Sequence, residues 1–187
     1  MSSPILRPAA QPLGIHVEIV EKLSPLMLTD LCEAADAAIE AGGGFGWITP
    51  PPRASMERYW QGVLAVPERH LIVAFADRVV CGAAQLTEPS RHNEAQSFAA
   101  QIISLFVAPW ARGRGAGKML LDTAEKLALD MKYDVLNLDV RATHVPAISL
   151  YEANGYHKWG ENPLYARVNG QAVTGYFYSK ILRQGVN

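Results

Sequence analysis

The run from Ile102 to Lys118 constrains this 187-residue chain more than any other stretch. It reads as a strand (Ile-Ile-Ser-Leu-Phe-Val) that passes through Ala-Pro-Trp-Ala and Arg-Gly-Arg-Gly-Ala-Gly into a helical pattern. Alternate glycines permit left-handed backbone and let a bulky anion approach closely. The helix behind them offers unpaired N–H groups and the positive end of its dipole. Arg112, Arg114 and Lys118 add cations, so a diphosphate is the expected guest.

Spacing decides which diphosphate carrier is expected. A Walker loop needs glycine where Arg112 stands and Ser or Thr where Met119 stands. A dinucleotide fingerprint needs G-x-G-x-x-G, whereas Gly113, Gly115 and Gly117 give G-x-G-x-G. Asp139 lies about twenty residues further on and keeps that second alternative open.

Apolar periodicity places the remaining elements. Ile15–Val20 alternates as a strand, and Ser24 caps a helix with Pro25 at its first position. Leu28, Leu31, Cys32, Ala35, Ala38 and Ile39 form that helix's buried face, and Gly42-Gly43-Gly44 stops it. A second helix is expected over 53–66, with Met56, Tyr59, Trp60 and Val63 inward. Strands follow at 70–76 and 79–86, turned by Asp77-Arg78, and a fourth at 100–107 after a polar loop. The helix behind the glycines should bury Leu120, Ala124, Leu127 and Met131. A buried strand at 134–140 precedes a helix opened by Pro146 and closed by Asn154-Gly155. After an irregular link around Asn162-Pro163, residues 173–182 make the last strand. The order predicts one α/β domain over 14–187, a mixed sheet flanked by helices, behind a loose leader at 1–13.

Net charge is −1, so no global basic field invites nucleic acid or anionic membrane. No apolar run reaches the ~20 residues of a membrane helix, and the prolines of the N-terminus do not read as a signal peptide. A cytoplasmic protein is expected. Cys32 and Cys81 stand alone among apolar neighbours and lack partners at ligand spacing, so no metal is expected.

Arg-x-x-Gly-x-Gly after a Val-x-Pro strand end resembles the GNAT superfamily of N-acetyltransferases. A second signature supports it: Leu138-Asp-Val-Arg-Ala-Thr-His-Val-Pro-Ala-Ile-Ser-Leu-Tyr-Glu-Ala-Asn-Gly-Tyr156 looks like that family's next strand and helix. The resemblance implies a mostly antiparallel sheet of six to seven strands with about four helices. It implies acetyl-CoA as co-substrate, with its pyrophosphate on Arg112, Gly113, Arg114, Gly115, Ala116, Gly117 and Lys118. Pantetheine would pair with the splayed fourth strand, where a backbone N–H near Phe106 and Val107 polarises the thioester carbonyl. His144 replaces the family's usual Asn and is a second cofactor contact or an exposed loop residue.

The same resemblance implies Tyr151 as the acid that protonates the leaving thiolate, a role a phenol suits because it stays protonated near neutral pH. The fourth-strand Glu of many relatives falls near Gln101 or Ser104, neither of which is a base. Asp139 is the first candidate base, directly or through a water, or else a structural hydrogen-bonding residue. Phe45 and Trp47 are expected to wall the acceptor site or to cap the core. The stretch Trp159-Gly-Glu-Asn-Pro-Leu-Tyr165, followed by Gly175-Tyr-Phe-Tyr-Ser-Lys180, resembles a subgroup containing tabtoxin resistance acetyltransferase. The acceptor is therefore expected to be a small primary amine, with polyamines, protein N-termini and a non-catalytic cofactor sensor as alternatives. Dimers are common in the family, so a homodimer is among the expectations.

Overall fold

The computed structural model describes residues 14–43 and 45–183; the leader at 1–13 and Gly44 lie outside them. One seven-stranded sheet runs in the order β1-β2-β3-β4-β5-β7-β6. Its strands are β1 (Ile15–Val20), β2 (Arg69–Ala76), β3 (Val79–Thr87), β4 (Ala99–Val107), β5 (Val135–Arg141), β6 (His157–Val168) and β7 (Gln171–Ile181). Neighbours are antiparallel except β4 and β5, which are parallel. Four helices cover it: α1 (Pro25–Glu40), α2 (Arg53–Ala65), α3 (Ala116–Asp130) and α4 (Val145–Ala153).

Local chemistry explains most boundaries. Ser24 Oγ accepts from Met27 N at 3.2 Å and caps α1, with Pro25 following as read from the sequence. Asp77 and Arg78 both take positive φ (49° and 75°), the two-residue turn whose twist suits a β-hairpin. Asn169 and Gly170 do the same (50° and 81°) between β6 and β7.

Two expectations change. The link around Asn162-Pro163 is not irregular: it lies within the 12-residue strand β6, which pairs with β7 through two register shifts. Those bulges absorb the proline, which cannot donate to a ladder. In α3 the buried seam is Ala116, Leu120, Leu121, Ala124 and Ala128, while Leu127 and Met131 only flank the core. Small residues at 116, 124 and 128 let the helix lie close on the sheet.

The core has two parts, one on each face. On one, α1 and α2 pack Leu31, Ile39, Met56 and Trp60 against Leu71, Val73 and Phe106. On the other, Leu120, Leu121, Tyr151 and Tyr156 meet Ile72, Leu86, Ile102 and Leu138.

β4 serves both faces because it carries an extra residue. Ser104 takes φ 55°, and the pairing with β3 shifts register between Ala83 and Gln85. Ala100 and Ile102 before the bulge belong to one core, whereas Phe106 and Ala108 after it belong to the other. A one-residue insertion inverts the alternation in this way. At the crossing the backbones touch closely: a Cβ on Gly82 would sit 2.5 Å from the Phe106 carbonyl oxygen.

Candidate active site

β4 and β5 pair only from Ala99–Gln101 to Val135–Asn137. Beyond Gln101 they separate, and a cleft of about 490 Å³ opens in the gap. Ile102, Ile103, Ser104 and Leu105 line one wall, and Asp139, Val140 and Arg141 the other. The loop after α1 closes one end through Phe45 and Ile48; Tyr165 and Arg167 of β6 close another.

The glycine turn sits at the mouth where β4 runs into α3. Gly113 and Gly115 take φ 73° and 86°, and nothing lies within 4 Å of a Cβ on either. Both positions thus combine a backbone that favours glycine with open space in front. Gly115 is the N-cap of α3 and supplies no side-chain cap, so the first N–H groups of the helix face outward. Gly117 differs. Its φ is not positive, and a Cβ there would meet Leu150 Cδ2 at 3.2 Å, so its smallness serves the packing of α3 on α4. Arg112 Nε donates to the Val107 carbonyl at 3.1 Å, which anchors the base of the turn to the end of β4. Lys118 pairs with Asp122 one turn along at 2.6 Å, both half exposed. Such a pair is worth roughly 0.3–0.5 kcal/mol, little enough for the ammonium to exchange its partner for a phosphate.

Tyr151 on α4 reaches the cleft from below and is buried. Burial, and then the Asp139 charge, push its phenol well above the usual tyrosine range, so it holds its proton throughout the working pH range. Among the described residues its hydroxyl has no hydrogen-bond partner. A protonated phenol therefore lines the cleft.

Asp139 faces the same space with both carboxylate oxygens engaged. Gln101 Nε2 donates to Oδ1 at 3.0 Å, and the Tyr165 hydroxyl donates to Oδ2 in a short contact. Gln101, which stands near the position of the missing fourth-strand carboxylate, thus acts as a support for Asp139. Tyr165 was not anticipated; it becomes visible only once β6 is known to pair beside β7.

His144 stands at the N-cap of α4 and lines the cleft. Its Nε2 donates to the Gly42 carbonyl at 2.5 Å, and Arg141 Nη2 reaches the same oxygen at 3.5 Å. The loop after α1 is thereby tied to the β5–α4 junction. Burial, and then the neighbouring Arg141, hold the imidazole below the usual histidine range.

The aromatic pair divides. Phe45 lines the cleft and stacks on Phe106 at 4.8 Å, whereas Trp47 stands edge-on behind it against Tyr59, also at 4.8 Å. Trp47 packs on Phe45 and Tyr59 and is not among the residues that line this cleft. On β4 the backbone turns at Ser104, which lines the cleft, and Phe106 and Val107 beyond it pair with Ala83 and Gly82 of β3 on one edge only.

The acetyltransferase (GNAT) family profile matches residues 33–156, which include the glycine turn, Asp139 and Tyr151. The chain belongs to the GNAT family of acetyltransferases. An uncharacterized N-acetyltransferase of Azospirillum brasilense is 53% identical over 129 residues, covering 69% of this chain and 77% of the relative. An N-acetyltransferase structure from Staphylococcus aureus Mu50 is similar with a TM-score of 0.75 at 16% identity, over 91% of this chain and 99% of its own. A phosphinothricin acetyltransferase from Sinorhizobium meliloti, solved in complex with acetyl-CoA, gives 0.71 at 22% identity, over 92% and 90%. At those identities the solved structures speak for the fold alone.

Family membership and the curated relative together make this an acetyl-CoA-dependent N-acetyltransferase. Its mixed sheet of seven strands with four helices is the GNAT architecture. Among the described residues no cluster of His, Cys, Asp and Glu could hold a metal ion, and no helix is long and apolar enough to cross a membrane.

Proposed function

We propose that this GNAT enzyme acetylates the primary amine of a small molecule, with both reactants present in the cleft at once. The observation that carries the reading is that a proton donor, Tyr151, and a carboxylate, Asp139, line one cleft in the split between β4 and β5. Acetyl-CoA supplies the activated acetyl group as a thioester. The open left-handed glycines and the N-terminus of α3 suit its pyrophosphate, with Arg112, Arg114 and Lys118 as mobile cations around Ala116 and Gly117. Beyond Gln101 the cleft side of β4 has no strand partner, so its backbone is available to an extended pantetheine arm.

Proton traffic then follows from the side chains. Tyr151 delivers its proton to the departing sulfur, whose thiol has an ordinary pKa near ~8.5 and which therefore leaves more readily when protonated. Asp139 Oδ1 or Oδ2 receives the proton that the amine must lose, directly or through a water. Phe45 and Ile48 on one side and the β6–β7 hairpin on the other narrow the acceptor end. A cleft of about 490 Å³ is in the size range of small-molecule sites, which supports a compact amine over a protein chain.

Thiol release from acetyl-CoA, monitored across a library of small primary amines and a set of peptide N-termini, tests this reading. Turnover confined to the peptides would refute the small-molecule assignment.

A further inference from the structure

The steps above leave Tyr165 without a role, although the fold makes unusual provision for it. β7 lies between β5, which carries Asp139, and β6, which carries Tyr165. To meet, the two side chains must span a strand, a separation of roughly 9–10 Å between backbones. The obstacle is removed at Gly175 on β7. A Cβ there would lie 2.0 Å from Tyr165 Cγ and 2.4 Å from Cδ2, so the ring occupies the room that any other residue would fill. Phe177 flanks it edge-on, with centroids 6.0 Å apart and planes at 84°.

The strand itself is shaped for this reach. β6 shifts register against β7 between Asn162 and Ala166, and Asn162 Oδ1 accepts from Leu164 N at 2.9 Å within that bulge. Bulges re-aim side chains, and this one brings Tyr165 over Gly175 toward the cleft. Burial, the bond to Asp139 and its charge all favour the protonated phenol, so the group is a permanent donor.

We propose that Tyr165 is a positioning residue for acetyl transfer, fixing the Asp139 carboxylate at the acceptor side of the cleft. This rests on the assignment of Asp139 as receiver of the amine proton. An aspartate carboxyl rotates freely about its last torsion, which has only broad preferences. Donors on both oxygens, Gln101 and Tyr165, remove that freedom. The hydroxyl of Tyr165 keeps Asp139 aimed at the acceptor.

The test compares Tyr165→Phe, Asp139→Asn and the double variant, with glycine, ethanolamine, putrescine and benzylamine as acceptors. Tyr165→Phe is expected to lower kcat by about tenfold or more while acetyl-CoA affinity by calorimetry stays within about twofold. In the Asp139→Asn background the same substitution should cost nothing further, because the two act as one unit. Wild-type kcat in Tyr165→Phe, or losses that multiply in the double variant, would overturn the proposal. A readout independent of any acceptor accompanies this: the Asp139 carboxyl resonance in carbon-13-labelled protein, identified by its loss in Asp139→Asn. It should move on Tyr165→Phe, and an unmoved resonance overturns the proposal by itself. Failure of all four amines with a moved resonance would strike at the small-amine reading and leave the Tyr165–Asp139 coupling in place.

Discussion

The hydroxyls of Tyr59 and Ser104 lie 3.2 Å apart, joining helix α2 to the left-handed residue of the β4 bulge. Gln85 completes the link, donating from Nε2 to the Tyr59 hydroxyl at 2.8 Å. Gln85 is the one polar residue among those fully buried in the described chain, and its Oε1 has no protein partner. The kink that opens the cleft is therefore held from the opposite core by a short polar chain.

Removing the middle of that chain should be felt in stability. Tyr59→Phe deprives the buried Gln85 amide of its acceptor, and a stranded buried donor costs about 1–3 kcal/mol. Urea unfolding should show a loss of that size. An unchanged midpoint would mean that the amide finds another partner in the variant.

Tyr151→Phe should lower kcat by roughly 10²-fold or more, the usual scale of a lost general acid, with acetyl-CoA affinity near wild type. Because burial raises its pKa, the active, protonated form of Tyr151 persists upward in pH. Wild-type kcat should accordingly show no descending limb attributable to this residue below about pH 10. Unchanged turnover in Tyr151→Phe assigns the acid to another group.

The two glycines of the turn should fail differently. Gly115→Val forces a branched residue into a left-handed backbone and points its side chain into open space where the phosphate would approach. We expect acetyl-CoA affinity to fall by more than about tenfold as the approach is blocked. Gly117→Val instead collides with Leu150 and should lower the melting temperature as well. Micromolar affinity retained in Gly115→Val would remove the phosphate assignment from this loop.

His144 should make the loop after α1 sensitive to acid. Its folded pKa is depressed, chiefly by burial, so the neutral form is favoured by folding. The stability it contributes is full above the ordinary histidine pKa of about 6.5 and is lost as pH falls through the lower folded value. Thermal melts of wild type between pH 7.5 and 5 should decline, and His144→Gln should flatten part of that decline. Parallel curves would place the acid sensitivity elsewhere.

What could be read in the sequence was whatever a local pattern encodes. The glycine turn, the Ser24 cap and the Asp77-Arg78 hairpin each need only a few neighbouring residues to be specified. β6 escaped because Gly160 and Pro163 break its alternation, although Asn169-Gly170 is the hairpin signal that reveals it. The Tyr165–Asp139 contact depends on the strand order β5-β7-β6 and on a missing side chain at Gly175, facts of topology with no local signature. The bulge at Ser104 was equally silent, because a left-handed serine inside an apolar run leaves the local pattern unchanged.

The three-pair junction between β4 and β5 has an evolutionary consequence. In the proposed reaction the turn that would hold the cofactor belongs to the β4–α3 unit, whereas the proposed acceptor end is bounded by an irregular loop and the β6–β7 hairpin. Most positions of those two borders are solvent-facing. Selection can therefore rewrite what the enzyme acetylates, through surface substitutions and loop-length changes, while the cofactor half and both cores stay as they are.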